Sequence, residues 1–509
     1  MLRSTITENG AVRGVVGTNA RITVYKGIPY AAPPVGKNRW RAPQPVENWE
    51  GVRVCDHFGP ICYQKTPGKD PNAFYSKEWH VDPEILNSED GLYLNIWTPA
   101  NRPGERLPVM VWIHGGGMQE GYSYEMEFDG EEFAARGVIL VSIGYRLNLF
   151  GFLCHPEITR ENPEAPANFA LLDQAAAIRW VKRNIENFGG DPENITIFGQ
   201  SGGGDAVQFQ LISPQTDGLF QRAIIQSAGG RLLCYPEMPS VLSMGDSMET
   251  AYALSEQLFR MCGVSTLEEA RQLPPDVLLE KYNEMHRPMV PVLDGKFVTG
   301  FPQTEFPKNA LHDVSLMVTA TSDEFMAGCT SPAKEWVRKF FADGAEAYWK
   351  LVCQAAASDR EEDLRRAADF STFNVGNRLT AEVLARNGRR VYFSEFGPTI
   401  PGDDAGAFHS CDLWFEFETL MKCWRPFDGH HYDLARKMCN YWTNFAKTGD
   451  PNGKDADGTP MPQWDPYTEV PARMEFFDQI HLRKGDLSPQ MQFLYEINLR
   501  ELKNRKQEE

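Results

Sequence analysis

Asn194-Ile-Thr-Ile-Phe-Gly-Gln-Ser-Gly-Gly-Gly204 is the stretch on which the fold turns. Its first five residues are a short apolar and β-branched run, the signature of a buried strand. Gly199-Gln200-Ser201-Gly202-Gly203 then fits G-x-S-x-G, and Val207 to Ile212 reads as helix. A strand that turns abruptly into a helix puts Ser201 on a sharp, strained corner with its hydroxyl exposed at the sheet edge. Glycines at 199 and 203 remove side chains that would collide in so tight a turn. Ser201 also stands at a helix N-terminus, where free N–H groups favour developing negative charge. A glycine-rich turn without chemistry can share the motif, so the surrounding elements carry the argument.

Upstream, apolar residues at Leu171, Ala175, Ile178, Val181, Ile185 and Phe188 recur every three or four positions, one face of an amphipathic helix. Gly189-Gly190 and Asp191-Pro192 end it. Pro108 to Ile113 and Val138 to Ile143 read as buried strands. Downstream strands are expected at Ala223 to Gln226, Leu316 to Thr319 and Val391 to Phe393. Short apolar runs alternating with helical patterns predict an α/β fold with a mostly parallel sheet. Helical stretches over roughly 240–285 and 333–388 are expected as insertions roofing the active site, within one domain spanning 1–509.

A serine attacking a carbonyl creates an oxyanion that needs preorganised donors, each worth about 3–4 kcal/mol of transition-state stabilisation. The N–H of Gly202, next after the nucleophile, is one. His114-Gly115-Gly116-Gly117, closing the 108–113 strand, offers the others through Gly116 and Gly117. The base and acid should follow in the order serine, acid, histidine. Histidines after Ser201 stand at 286, 312, 409, 430, 431 and 481. The strand from Leu316 runs into Asp323 and Glu324, and the residues alone do not choose between them. His409 follows the next strand and a Pro/Gly/Asp-rich loop, whereas His286 and His312 come too early and His430 and His431 open another helical pattern.

Lys plus Arg number 51 against 69 Asp plus Glu, a formal net charge of −18. So acidic a chain repels phosphate backbones and anionic bilayers, which argues against nucleic-acid and membrane partners. The start, MLRSTITENGAVRG, has no apolar stretch behind Arg3, and no apolar run is long enough to span a bilayer. The ten cysteines show no paired CxxC spacing, so reduced thiols and a cytoplasmic setting are expected.

The chain resembles the type-B carboxylesterases, the group that includes the cholinesterases. The resemblance rests on Gly27-Ile-Pro-Tyr-Ala-Ala-Pro-Pro34, Arg39-Trp-Arg-Ala-Pro43, Ser88-Glu-Asp-Gly-Leu-Tyr-Leu-Asn-Ile-Trp97 and the HGGG segment. It continues through Tyr145-Arg146, Asn168, Leu172-Asp-Gln174, Asn184 to Gly204 and Ala446-Lys-Thr-Gly-Asp-Pro451. It implies an α/β-hydrolase fold with a large twisted mixed sheet, and hydrolysis of carboxylic esters without metal or cofactor. It also implies a triad of Ser201, Glu324 and His409, the last through His409-Ser-Cys-Asp-Leu413.

Several residues depart from the family pattern. Gln200 stands where many members carry Glu, Gly202 where Ala is usual, and Asp205 where Ala is common. Phe325 replaces a Gly after the acid, and Met118 an aromatic after the third glycine. Cys62 matches a family cysteine whose disulfide partner is Gly91 here. The expected partner is a small-molecule ester, handled by a monomer or small homo-oligomer. Narrower specificity for hydroxycinnamoyl or acetylated-sugar esters, or a non-catalytic binding module on the same fold, are the rival readings.

Overall fold

The apolar runs form the middle of one large sheet. The computed structural model describes residues 1–65, 74–79, 85–228, 245–324, 332–341, 344–368, 372–468, 470–485 and parts of 488–500. The sheet strands are β1 (Ser4–Thr7), β2 (Gly10–Val16), β3 (Thr23–Pro29), β4 (Val52–Cys55), β5 (Tyr93–Thr98), β6 (Leu107–Ile113) and β7 (Ile139–Ile143). They continue as β8 (Gly190–Gln200), β9 (Arg222–Gln226), β10 (Ser315–Thr321), β11 (Val391–Phe396), β12 (Ala472–Phe476) and β13 (Ile480–Lys484). Their order is β1-β2-β3-β5-β7-β6-β8-β9-β10-β11-β12-β13, with β4 beside β2. From β7 to β12 every pairing is parallel, and the flanks pair antiparallel apart from β4 on β2.

Alternation explains why the central strands read as continuous apolar runs. Val109, Val111 and Ile113 of β6 enter one hydrophobic cluster, while Met110 and Trp112 enter another. The same division holds in β10 (Leu316 and Val318 against Met317) and in β11 (Val391 and Phe393 against Tyr392). Both faces are covered, as parallel sheets require. Full burial of each such side chain is worth about 1.5–3 kcal/mol. Helices α2 (Phe169–Asn184) and α3 (Gly202–Ile212) cover the first face, after a short α1 (Phe74–Glu78). Helices α4 (Leu413–Glu416) and α5 (Gly429–Thr448) cover the second.

Two boundaries differ from expectation. The helix predicted from Leu171 to Phe188 finishes as a 3₁₀ turn over Ile185–Phe188, closed by Gly189 at φ 89°. β8 starts at Gly190 rather than Asn194, because Gly190 pairs with Leu107 before the register shifts and resumes at Ile195 with Val109. Pro192 sits inside that shift, where no ladder hydrogen bond is asked of it. Of the two long helical stretches, the first contains Met248–Cys262, Leu267–Gln272 and Pro275–Glu284, and residues 240–244 lie outside the described residues. The second breaks into Ala333–Phe341, Ala345–Ala355, Glu361–Ala368 and Thr372–Arg386.

Strand order also fixes where a ligand can enter. From β6 the chain crosses to β7 on one side, and from β8 to β9 on the other. Their carboxyl ends diverge at this reversal, the place where open α/β sheets bind ligands. His114-Gly-Gly-Gly117 follows β6 there, and Ser201 follows β8.

Candidate active site

Ser201 sits at φ 55° and ψ −126°, a backbone conformation that L-residues avoid. Its N–H donates to the Gln226 carbonyl at 2.9 Å, and its own carbonyl takes the first helical bond from Asp205. Elbow glycines are dictated by crowding. A Cβ on Gly203 would come within 2.0 Å of the Ile113 carbonyl oxygen, and one on Gly199 within 2.6 Å of the Gly203 backbone. Ser201 itself stays partly exposed.

The loop after β6 lies against the start of α3. Gly116 (φ 91°) and Gly117 (φ 61°) are exposed, and a Cβ on Gly202 would meet the Gly117 and Met118 amide nitrogens at 2.7 Å. So the loop backbone meets Gly202 at Gly117 and Met118, and a Cβ on Gly115 would stand 3.3 Å from the Ser201 Cβ. The loop is braced from behind. Tyr145 donates its hydroxyl to the His114 carbonyl at 2.8 Å and stacks on that imidazole, whose pKa burial depresses to about 4. Gln64 brackets Gly121, accepting its N–H at 2.7 Å and donating to its carbonyl at 2.8 Å. No sequence signal singled Gln64 out; its contribution depends on a contact across 57 positions.

Glu324, wholly buried, accepts from His409 Nδ1 at 2.5 Å through Oε2 and from the Thr321 N–H at 3.0 Å through Oε1. The neighbouring Asp323 turns away, accepting from the Ser322 hydroxyl and the Ala407 N–H. The pairing left open by the residues is therefore made by Glu324. His312 contacts Thr216 and Asp217, and His431 belongs to the cap of α5, so neither pairs with Glu324. Phe325 lies outside the described residues.

The far nitrogen of His409 meets a departure from the family pattern. Gln200, 2 % exposed, donates its side-chain amide to His409 Nε2 at 3.2 Å. Tyr75 of α1 reaches the His409 carbonyl at 3.5 Å and stacks on Trp79, giving the histidine an aromatic neighbour. Asp412, one turn beyond His409, is buried; desolvation, then the Glu324 charge, push its carboxyl up to about 7, against an opposing pull from His409. Asp205 lies buried in the first turn of α3, with Gln208 at 3.5 Å. A hollow of about 630 Å³ ringed by Arg53, His57, Phe58, Tyr93, Tyr122 and Tyr124 touches none of Ser201, Glu324 or His409.

Comparison with known proteins decides the family. A carboxylesterase family match runs over residues 3–493. The chain belongs to the carboxylesterase family. It is 32% identical over 467 residues to a fumonisin B1 esterase of Sphingopyxis macrogoltabida, covering 88% of this chain and 82% of that protein. It is 31% identical over 506 residues to an acetylcholinesterase of Bungarus fasciatus, covering 91% and 80%. The carboxylesterase EST55 of Geobacillus stearothermophilus superposes with a TM-score of 0.78 at 32% identity, over 97% of this chain and 99% of that one. The chain is thus a carboxylic ester hydrolase with the α/β-hydrolase fold. Within this carboxylesterase, Cys62 is a free thiol whose sulfur lies 2.6 Å from where a Cβ on Gly91 would stand.

Proposed function

We propose that this carboxylesterase works through Ser201, His409 and Glu324, with the N–H groups of Gly116, Gly117 and Gly202 as its oxyanion hole. The observation that carries the reading is the buried Glu324–His409 pair, whose Nε2 meets Gln200, the residue before a serine on a strained strand-to-helix corner. His409 Nε2 takes the Ser201 proton as Oγ attacks the ester carbonyl, and Glu324 holds the imidazole through Nδ1 and stabilises its cation without being protonated. The oxyanion rests on the three N–H groups. His409 protonates the departing alcohol, then takes a proton from an entering water as that water attacks the acyl carbonyl, and returns it to Ser201 Oγ as the carboxylic acid leaves.

The helical segments within 240–285 and 333–388 are read as insertions around this site in one domain, and the setting as cytoplasmic. Among the described residues no helix is long and apolar enough to cross a membrane. The reading is tested by hydrolysis of p-nitrophenyl acetate, butyrate and octanoate by wild type and Ser201→Ala. Turnover by wild type, with the variant at background, is the expected result. Equal rates from both proteins would refute the nucleophile.

A further inference from the structure

Gln226 closes β9, and its backbone carbonyl is the one that holds the Ser201 N–H. Its side chain meets Glu416, the last residue of α4: Gln226 Nε2–H donates to Glu416 Oε2. Both residues are wholly buried. The amide oxygen of Gln226, Oε1, and the second carboxyl oxygen of Glu416, Oε1, have no hydrogen-bond partner among the described residues. Two side chains already joined by one bond thus carry the two orphaned acceptors. A single proton resolves both, because a protonated carboxyl is a donor as well as an acceptor. Glu416 Oε1–H donating to Gln226 Oε1 closes a planar acid–amide ring of two hydrogen bonds.

We propose that Glu416 is a positioning residue for the nucleophile: as a neutral carboxylic acid it clamps Gln226 and so fixes the carbonyl that holds the elbow at Ser201. The proposal rests on the reading of Ser201 as nucleophile. The titratable groups that face Glu416 agree with a neutral acid. Asp412, one turn earlier, opposes a second negative charge, and Cys439 comes from α5 across the same cluster. Burial and Asp412 hold the Glu416 carboxyl well above the usual carboxylate range, opposed by the Gln226 hydrogen bond and by no cation among the described residues. Asp412 in turn faces Glu324 and His409, so a charge on Glu416 would be felt next to the dyad.

Two substitutions separate positioning from packing. Glu416→Gln can form both bonds as an amide–amide ring, mimicking the acid but not the carboxylate. Glu416→Leu fills the space and forms neither. Expected are kcat and KM within about twofold of wild type for Glu416→Gln, and for Glu416→Leu a kcat lower by about tenfold or more at unchanged KM, since ångström-scale misplacement costs up to about 100-fold. The infrared difference spectrum of wild type minus Glu416→Gln at neutral pH should contain a protonated-carboxyl C=O band. An absent band, a Glu416→Gln variant as impaired as Glu416→Leu, or a folded Glu416→Leu with wild-type kcat would overturn the proposal. If Glu416→Leu does not fold, the spectrum and Glu416→Gln decide. Activity surviving in Ser201→Ala would remove the nucleophile reading instead, and would leave the infrared result standing.

Discussion

Gln200 is the side chain that meets the far nitrogen of His409. Many family members carry a carboxylate there, whereas here an amide donates to His409 Nε2, the nitrogen that accepts the Ser201 proton in the proposed mechanism. Gln200→Glu replaces that donor by a negative charge about 3 Å from the imidazole, which favours the imidazolium. The acid limb of the kcat/KM profile should therefore move up by about one pH unit or more. An unmoved limb would mean that the amide does not engage the reacting nitrogen in solution. At this scale the sequence was partly legible. Ser201 and His409 stand out from motif and order, but Asp323 and Glu324 are adjacent, and only the turn after β10 shows which carboxylate faces the ring. Glu416 carried no signal at all, because its role depends on meeting an amide 190 positions away.

Among elements, the decisive packing is between the loop after β6 and the first turn of α3. A methyl group at Gly202 would press on the Gly117 and Met118 amide nitrogens at 2.7 Å, both of them backbone atoms without a rotamer to yield. Gly202→Ala should push the loop off the proposed oxyanion position and lower kcat by about 10- to 100-fold, with little change in KM or melting temperature. Steady-state kinetics beside a thermal melt check this, and an undiminished kcat would show the loop to be adaptable. The strand–elbow–helix unit was legible because its periodicities and glycines are local. The early start of β8 was not, since a register shift around Pro192 is set by the partner strand β6. The helices between 333 and 386 read as one long stretch but break into four, of which the first three pack around Val337, Tyr348 and Val352 while the fourth lays Ala381 and Leu384 against the sheet at β10 and β11.

Over the whole molecule, the sheet order could not be read from sequence, although alternating apolar runs did announce a parallel sheet. The crossing from β7 past β6 to β8 is a long-range choice, yet it creates the crevice in which the two glycine motifs meet. Global stability should carry a distinct acid-side signature. Arg436 of α5 donates twice to Asp455 at 2.9 Å, and these bonds hold that carboxyl down to about 2. A carboxylate whose folded pKa lies below its unfolded value of 3.8 stabilises fully above that value, and the contribution fades as pH falls toward 2. Asp455→Asn should cost about 2 kcal/mol in urea unfolding at pH 7, with the gap to wild type narrowing below about pH 4. A gap that stays constant with pH would assign the loss to packing. Covalent labelling with a fluorophosphonate, followed by peptide mass mapping, tests the proposed nucleophile at the divergence of β6 and β8. One equivalent of label on Ser201, with activity lost in proportion, is predicted; a folded, active enzyme that takes no label, or takes it on another residue, would mean that Ser201 is not the nucleophile.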